Sequence, residues 1–549
     1  MFLAGFLSLV LFLLFRAAQV RREAKQALLE ARAAVHRRHL LRVLGRATEL
    51  PSAGSAPPGH PYATDIDLVG PGSLCQRIDV SHTVVGERIL SRWLRAAADR
   101  ETIRARQEAV RELAGLGAFR ESLEAHGAIA SGDERLDPAP FLAFTRRPPL
   151  VTPALRILCL LFPVVTLAAF ALGPLLHIPA VVAYALLALQ SGLAFRYGSR
   201  AIEVFQLIAA RRGYIEALKG MLVTAHDAKF ESALLQSVHA RLAAGGQSPA
   251  AYMARLDRWA GFAEFHTQFP VHFVVNLAVL WDLNVLARLE AWNRDVGAQL
   301  EDAFEALGEL EALTSLATLL HGDGGTSFPE LHEGALEAKN LAHPLLAESQ
   351  RVANDVAFPE QGVLIVTGSN MAGKSTLLRS LGLNIALALA GGPVVASELR
   401  LPLVRLRASM RVDDSLQKGA SYFHAELAKL RSVVAGAENE PPVFFLLDEL
   451  LRGTNARARH IGARAVIQHL MIRGASGITA THDISLAKME DEQPERIRNV
   501  HFTDVMEDGE MIFDYALREG VVRTSNALRL LELAGVDVEV DDRLTDESA

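Results

Sequence analysis

Val363-Leu-Ile-Val-Thr-Gly368-Ser-Asn-Met-Ala-Gly373-Lys374-Ser375-Thr376 is the stretch whose reading decides the fold. Apolar residues lead into a glycine turn, and a lysine, two hydroxyls and the helical run Leu377-Leu-Arg-Ser-Leu381 follow. That order is strand, phosphate loop, helix. Gly368 and Gly373 let the backbone wrap closely, so that the N–H groups through Ser369, Asn370, Met371 and Ala372 can point at phosphate oxygens. Lys374 reaches the β- and γ-phosphates of ATP. Ser375 supplies a hydroxyl to Mg²⁺, with Thr376 beside it at the helix start.

Downstream, the chain supplies further parts in the order an ATPase needs. Val443-Phe-Phe-Leu-Leu447 is a buried-strand pattern with Asp448 and Glu449 at its end. An aspartate there can hold the Mg²⁺ shell, and the adjacent glutamate can orient or deprotonate the attacking water. Gly477-Ile-Thr-Ala-Thr-His482-Asp483 is another strand ending in polar residues, which puts His482 at the γ-phosphate as a sensor. At the C-terminal ends of parallel strands, these groups converge on one crevice.

Gly419-Ala-Ser421-Tyr-Phe423-His-Ala-Glu426 lies between the loop and the Asp448 strand. With it the chain resembles the MutS family of DNA mismatch-repair ATPases. Gly368 to Thr376 resembles that family's Gly-Pro-Asn-Met-x-Gly-Lys-Ser-Thr loop, and Gly419 to Glu426 its Gly-x-Ser-x-Phe-x-x-Glu signature. Asp448-Glu-Leu-Leu-Arg-Gly-Thr454 and Ala480-Thr-His482 resemble two more of its motifs. His343-Pro344 and Asn354-Asp355 resemble the segments flanking the adenine, and Gly520 to Val536 resembles the closing segment. The resemblance implies an α/β ABC-type P-loop ATPase domain on an all-α core and lever domain. It implies a homodimer with composite sites, in which Ser421 of one head faces the γ-phosphate bound by the other. It also implies a clamp motion of the stalks and DNA contact through the lever helices. Two departures stand out: Ser369 replaces the family's proline, and Arg351 replaces an aromatic expected beside the adenine.

Upstream, two uncharged runs, Ile157–Leu176 and Ala180–Phe195, are separated by a short segment containing His177 and Pro179. Arg146, Arg147 and Arg156 precede the pair, and Arg196 and Arg200 follow it. This predicts an inserted transmembrane hairpin with both ends in the cytoplasm. Met1–Phe15 is apolar apart from Ser8 and is followed by Arg16, Arg21 and Arg22, which reads as a further membrane anchor. From Arg16 to Arg46 the chain predicts one long basic helix, suited to anionic headgroups or nucleic-acid phosphates. Phe269 to Trp281 is too mixed for a span and reads as a buried or membrane-surface helix.

The boundaries follow from these signals. We expect an anchor over 1–20, a basic helix and Pro/Gly linker over 21–64, and lever halves over 65–150 and 199–328. The hairpin takes 151–198, the ATPase domain 329–538 and an acidic tail 539–549. No mismatch-reading domain is expected, since the residues ahead of the helical block are apolar, basic or Pro-rich. The net charge of −7 excludes a uniformly basic nucleic-acid binder, and two cysteines exclude a disulfide framework. Mean hydropathy of +0.19 fits a chain with membrane segments.

The expected function is ATP hydrolysis to ADP and phosphate by a dimeric, multi-pass protein of the cell membrane, with its ATPase head in the cytoplasm. Glu449, His482 and Lys374 are the catalytic candidates, and Ser375 and Asp448 the Mg²⁺ ligands. His343 and Ser421 join the loop in binding nucleotide. An ABC-related membrane transporter, or a nucleotide-gated scaffold without a DNA role, is the alternative.

Overall fold

A computed structural model describes residues 2–51, 54–131, 134–173, 175–209, 212–322, 324–369, 371–411, 422–438, 440–507 and 510–522. The chain separates into two compact units whose segments interleave. One contains Met1–Arg37, Val80–Ile89 and Gly115–Ala312; the other contains Arg38–Asp79, Leu90–Ala114 and Leu313–Ala549.

The second unit is organised by Val363–Thr367, a strand with every residue buried. In chain order the strands are β1 (Glu330–Leu331), β2 (Glu337–Leu341), β3 (Asn354–Ala357), β4 (Val363–Thr367), β5 (Glu398–Leu401) and β6 (Arg405–Ser409). They continue as β7 (Val443–Asp448), β8 (Ser476–Ala480), β9 (Ile497–His501), β10 (Asp504–Glu507), β11 (Glu510–Phe513) and β12 (Arg518–Glu519). The main sheet has six strands in the order β12-β9-β4-β8-β7-β6. All its pairings are parallel except that of β12 with β9. Strands buried on both faces read as continuous apolar runs, which is why Val363–Val366 and Val443–Leu447 were legible. Ile365, Phe445, Leu447 and Ile467 share one apolar cluster against this sheet. A second sheet, β1-β5-β2-β3, combines three strands from before the loop with β5, which follows the loop's helix.

The first unit is helical. Phe2–Val43 is one helix, with its residues to Arg37 in this unit and the rest in the second, and it ends just before Gly45, whose φ of +70° glycine adopts without steric cost. Pro153–Leu172 and Ala180–Leu207 are the two helices long and apolar enough to cross a membrane among the described residues. Their side chains mostly face outward; Val164 is 63 % and Leu189 62 % exposed. Val271–Val279 and the following helix are bent by 73°. The break falls at Leu280, whose φ is +50°. Asn276 and Asp282 hold it: Asn276 Nδ2 donates to Asp282 Oδ2 at 2.8 Å, and Asp282 N–H donates to Asn276 Oδ1 at 3.1 Å. His272 Nε2 lies 2.8 Å from Asp282 Oδ1, so this histidine is a partnered core residue. His266 closes its own turn on the Ala263 carbonyl.

At the lever position, buried Glu311 accepts from His82 N–H at 2.7 Å and Thr83 N–H at 3.3 Å, and from the Thr83 hydroxyl. This ties the Val84–Leu94 helix start to the long Trp281–Ala317 helix.

Candidate active site

The phosphate loop connects β4 to the Lys374–Ala390 helix. Gly368 has φ +145°, and a Cβ there would lie 2.7 Å from the Phe502 carbonyl oxygen. Gly373 has φ +110° and begins the helix. Both glycines are therefore fixed by backbone geometry. Met371, at the loop's tip, is 83 % exposed with φ +69°. Ala372 is buried beneath it, and Thr376 is exposed on the first helical turn. Asn370 lies outside the described residues, as does Ser421 of the signature segment.

Lys374 is buried, and its Nζ donates to the carbonyls of Gly368 at 2.7 Å and Ser369 at 2.8 Å. Burial holds its ammonium below the usual lysine range, opposed by the charges of Glu449 and Asp448. His482 stands 3.5 Å from the same Nζ.

Ser375 Oγ donates to Asp448 Oδ2 at 2.6 Å, at the C-terminal end of β7. Asp448 Oδ1 is buried with no hydrogen-bond partner. Burial raises the Asp448 carboxyl above its ordinary range, with the Ser375 bond opposing and the Glu449 charge adding. A hydroxyl and a carboxylate with one uncompensated buried oxygen form a hard-oxygen donor set that fits Mg²⁺.

Glu449 is engaged on both oxygens. Oε1 lies 2.6 Å from His482 Nε2, and Oε2 lies 2.7 Å from Arg452 Nε. Burial pushes its carboxyl up, but the His482 bond and the charges of His482, Arg452 and Lys374 outweigh that and hold it below the usual glutamate range. Its φ of +49° is a costly conformation for a side-chain-bearing residue, and Leu451 two residues on is at +60°. The strand ends register these groups. Glu449 N–H donates to the Ala480 carbonyl at 2.9 Å and Thr481 N–H to that of Val366 at 3.0 Å, so the β4, β7 and β8 ends are stitched together. The loop beyond His482 is braced by Asp483, which lies 2.8 Å from His460 Nδ1 and caps Ser485 N–H at 3.0 Å.

The strand ends thus unite Lys374, Ser375, Asp448, Glu449 and His482. His343 stands apart: its Nδ1 accepts from Leu345 N–H at 3.1 Å, and no hydrogen bond among the described residues links it to the phosphate loop. Burial, then the charge of Arg379, lowers its imidazole to about 4. Arg351, in place of an aromatic, closes the same turn through the Leu346 carbonyl at 2.8 Å. Ser369 donates to Asp504 Oδ1 at 3.1 Å, a bond that proline cannot make.

Two contributions escaped the sequence reading. Glu426 is buried, and its Oε1 accepts the N–H groups of Leu451 and Arg452, locking the turn that carries Glu449. Its place in the signature was visible, but its partners are backbone groups that no spacing rule reveals. Tyr515 places an aromatic ring beside Gly373, 3.2 Å from where a Cβ would stand, and Asn354 Nδ2 donates to its carbonyl at 3.0 Å.

Residues 364–547 match the family model of MutS domain V. The chain is 31 % identical over 255 residues to "DNA mismatch repair protein MutS 2" of Halobacterium salinarum, covering 45 % of this chain and 29 % of that protein. It is 32 % identical over 252 residues to "DNA mismatch repair protein MutS" of Chloroflexus aurantiacus, covering 44 % and 26 %. A similar match, 29 % over 253 residues, is to the Shouchella clausii protein of that name, covering 45 % of this chain and 29 % of the relative. The chain therefore spans under a third of the length of these curated relatives.

Proposed function

We propose that this chain, whose residues 364–547 match MutS domain V, hydrolyses ATP as a membrane-held dimer whose heads drive a clamp on nucleic acid. The observation that carries the ATPase reading is the convergence of Lys374 and the Ser375–Asp448 and Glu449–His482 pairs at the ends of β4, β7 and β8.

Lys374 binds the β- and γ-phosphates, exchanging its bonds to the Gly368 and Ser369 carbonyls for phosphate oxygens. The loop's N–H groups and the helix N-terminus bind the remaining charge. Ser375 and Asp448 hold Mg²⁺, which when bound neutralises phosphate charge. Glu449, freed from one of its two side-chain partners, orients or deprotonates the attacking water, and His482 turns to the γ-phosphate. Its lowered carboxyl range keeps Glu449 ionised at neutral pH, as a base requires. Tyr515 offers the nucleobase an aromatic face.

Ser421 completes the partner's site in a homodimer. A mixture of Glu449→Gln and Ser421→Ala protomers should regain part of the turnover that each lacks alone; no recovery would refute the shared site. The apolar hairpin, with its outward-facing side chains and basic flanks, supports membrane insertion with the ATPase domain in the cytoplasm. The nucleic-acid role rests on the relatives named for DNA mismatch repair. Turnover should rise with duplex DNA and lose that response as salt increases. A flat response would remove DNA from the account.

A further inference from the structure

The first unit contains a cavity of about 660 Å³ between the segment preceding the hairpin, the far end of its second helix and the Trp281–Ala317 helix. Four arginines line it, Arg146, Arg147, Arg200 and Arg294, together with the carboxylates of Glu203, Glu290 and Glu301. The cavity's size is that of a site for a small molecule or a headgroup.

Its charges are not equivalent. Arg146 is paired with Glu301 at 2.7 Å. Glu290 is taken up by backbone: its carboxylate accepts from Leu150 N–H at 2.6 Å and Val151 N–H at 3.0 Å, and this fixes the turn into the first hairpin helix. Arg147 and Arg200 are both exposed, and among the described residues neither makes an ion pair. Asn293 fixes the wall by donating to the Thr145 carbonyl at 3.0 Å, while its Oδ1 remains buried with no partner.

Position determines the source of the anion. Arg147 comes six residues before the first apolar helix begins at Pro153, and Arg200 lies beyond the uncharged run that ends at Phe195. In an antiparallel hairpin these are the same end. The apolar helices run about 30 Å from it, a hydrocarbon thickness. The cavity therefore opens where exposed apolar helix surface gives way to charge, which is the headgroup level if the hairpin is inserted.

We infer that this cavity binds the phosphate of an anionic phospholipid headgroup, with Arg147 and Arg200 as its cationic contacts. Guanidinium forks suit phosphate oxygens. The inference rests on the proposed membrane insertion of the hairpin.

The test uses the full chain, extracted in mild detergent and reconstituted in vesicles of phosphatidylcholine alone or mixed with phosphatidylglycerol. Native mass spectrometry reads retained lipid, and resistance to carbonate extraction reads insertion separately. Wild type should retain phosphatidylglycerol in preference to phosphatidylcholine. Arg147→Gln with Arg200→Gln should lower that preference about tenfold while leaving insertion intact. The matched Arg147→Lys, Arg200→Lys protein should keep most of it, which controls for loss of packing. Insertion without lipid preference overturns the headgroup site alone; failure to insert overturns both it and the membrane reading. Inorganic phosphate or glycerol phosphate binding equally well, with the same dependence on the arginines, would replace the lipid by a soluble anion. Displacement of the lipid by duplex DNA would make the surface a nucleic-acid contact and refute the lipid assignment.

Discussion

Replacing Glu426 tests how the catalytic turn is held, without touching the nucleotide. Its carboxylate, 4 % exposed, accepts the N–H of Leu451 and, at 3.3 Å, that of Arg452. Those residues lie two and three positions after Glu449, in a turn where Glu449 and Leu451 both sit at positive φ. Each hydrogen bond to a charged acceptor is worth about 1.5–3 kcal/mol. The longer Arg452 contact and the partial exposure of that turn keep the sum toward the lower end. Glu426→Ala should therefore cost about 3 kcal/mol, or about 6–12 °C in the melting of the ATPase domain. Glu426→Gln keeps an acceptor oxygen and should cost about 1–2 kcal/mol. Released from its anchor, the turn relaxes toward ordinary φ values and carries Glu449 away from the strand end. A displacement of about 1 Å at a reacting group lowers turnover on the order of 100-fold. Nucleotide affinity should change little, because among the described residues no hydrogen bond links Glu426 to Lys374 or the loop. Steady-state ATPase, nucleotide binding by fluorescence and thermal melting separate these effects. Wild-type turnover and melting in Glu426→Ala would refute the proposed locking of the turn.

Three further perturbations follow from buried contacts. His343, lowered to about 4 from an ordinary 6.5, binds a proton in the unfolded chain at a pH where the folded one excludes it. Its contribution is thus whole above about pH 6.5 and lost as pH falls toward about 4, up to about 3 kcal/mol. Urea unfolding of His343→Phe and wild type across that interval should give a shallower slope in the variant, and parallel slopes would contradict it. Gly477→Ala should destabilise the ATPase domain by about 1–3 kcal/mol in the same assay. Its Cβ would fall 2.3 Å from the Phe445 carbonyl on the neighbouring strand, a ladder atom that cannot step aside. Glu311→Ala should lower the melting of the helical unit by about 2–4 kcal/mol, because it strands the buried His82 and Thr83 donors; an unchanged melt would show those donors to be hydrated.

Much of this architecture is readable without coordinates, for identifiable reasons. Val363–Thr367 and Val443–Leu447 announce central parallel strands because both faces are buried, so the runs contain no polar alternation. Gly368, Gly373 and Lys374 announce the loop because few other residue types fit its backbone and its ligand. Asp448, Glu449 and His482 are legible because each ends such a strand. What stays hidden depends on backbone partners or distant segments. Glu426 reaches across to Leu451 and Arg452 N–H groups, and Ser369 finds Asp504. The bend at Leu280 depends on Asn276 and Asp282 bonding across it, so a single apolar stretch reads as continuous. The interleaving of 38–79 and 90–114 with the ATPase unit arises from long-range packing, where linear boundaries carry no signal.

The central claim is tested most directly by steady-state ATP hydrolysis of the purified full chain, with wild type and Lys374→Ala measured side by side in Mg²⁺. The account predicts turnover in the wild type and a loss on the order of 100-fold or more in the variant, since the lysine supplies phosphate charge stabilisation that no neighbour replaces. Equal turnover in the two proteins would contradict it.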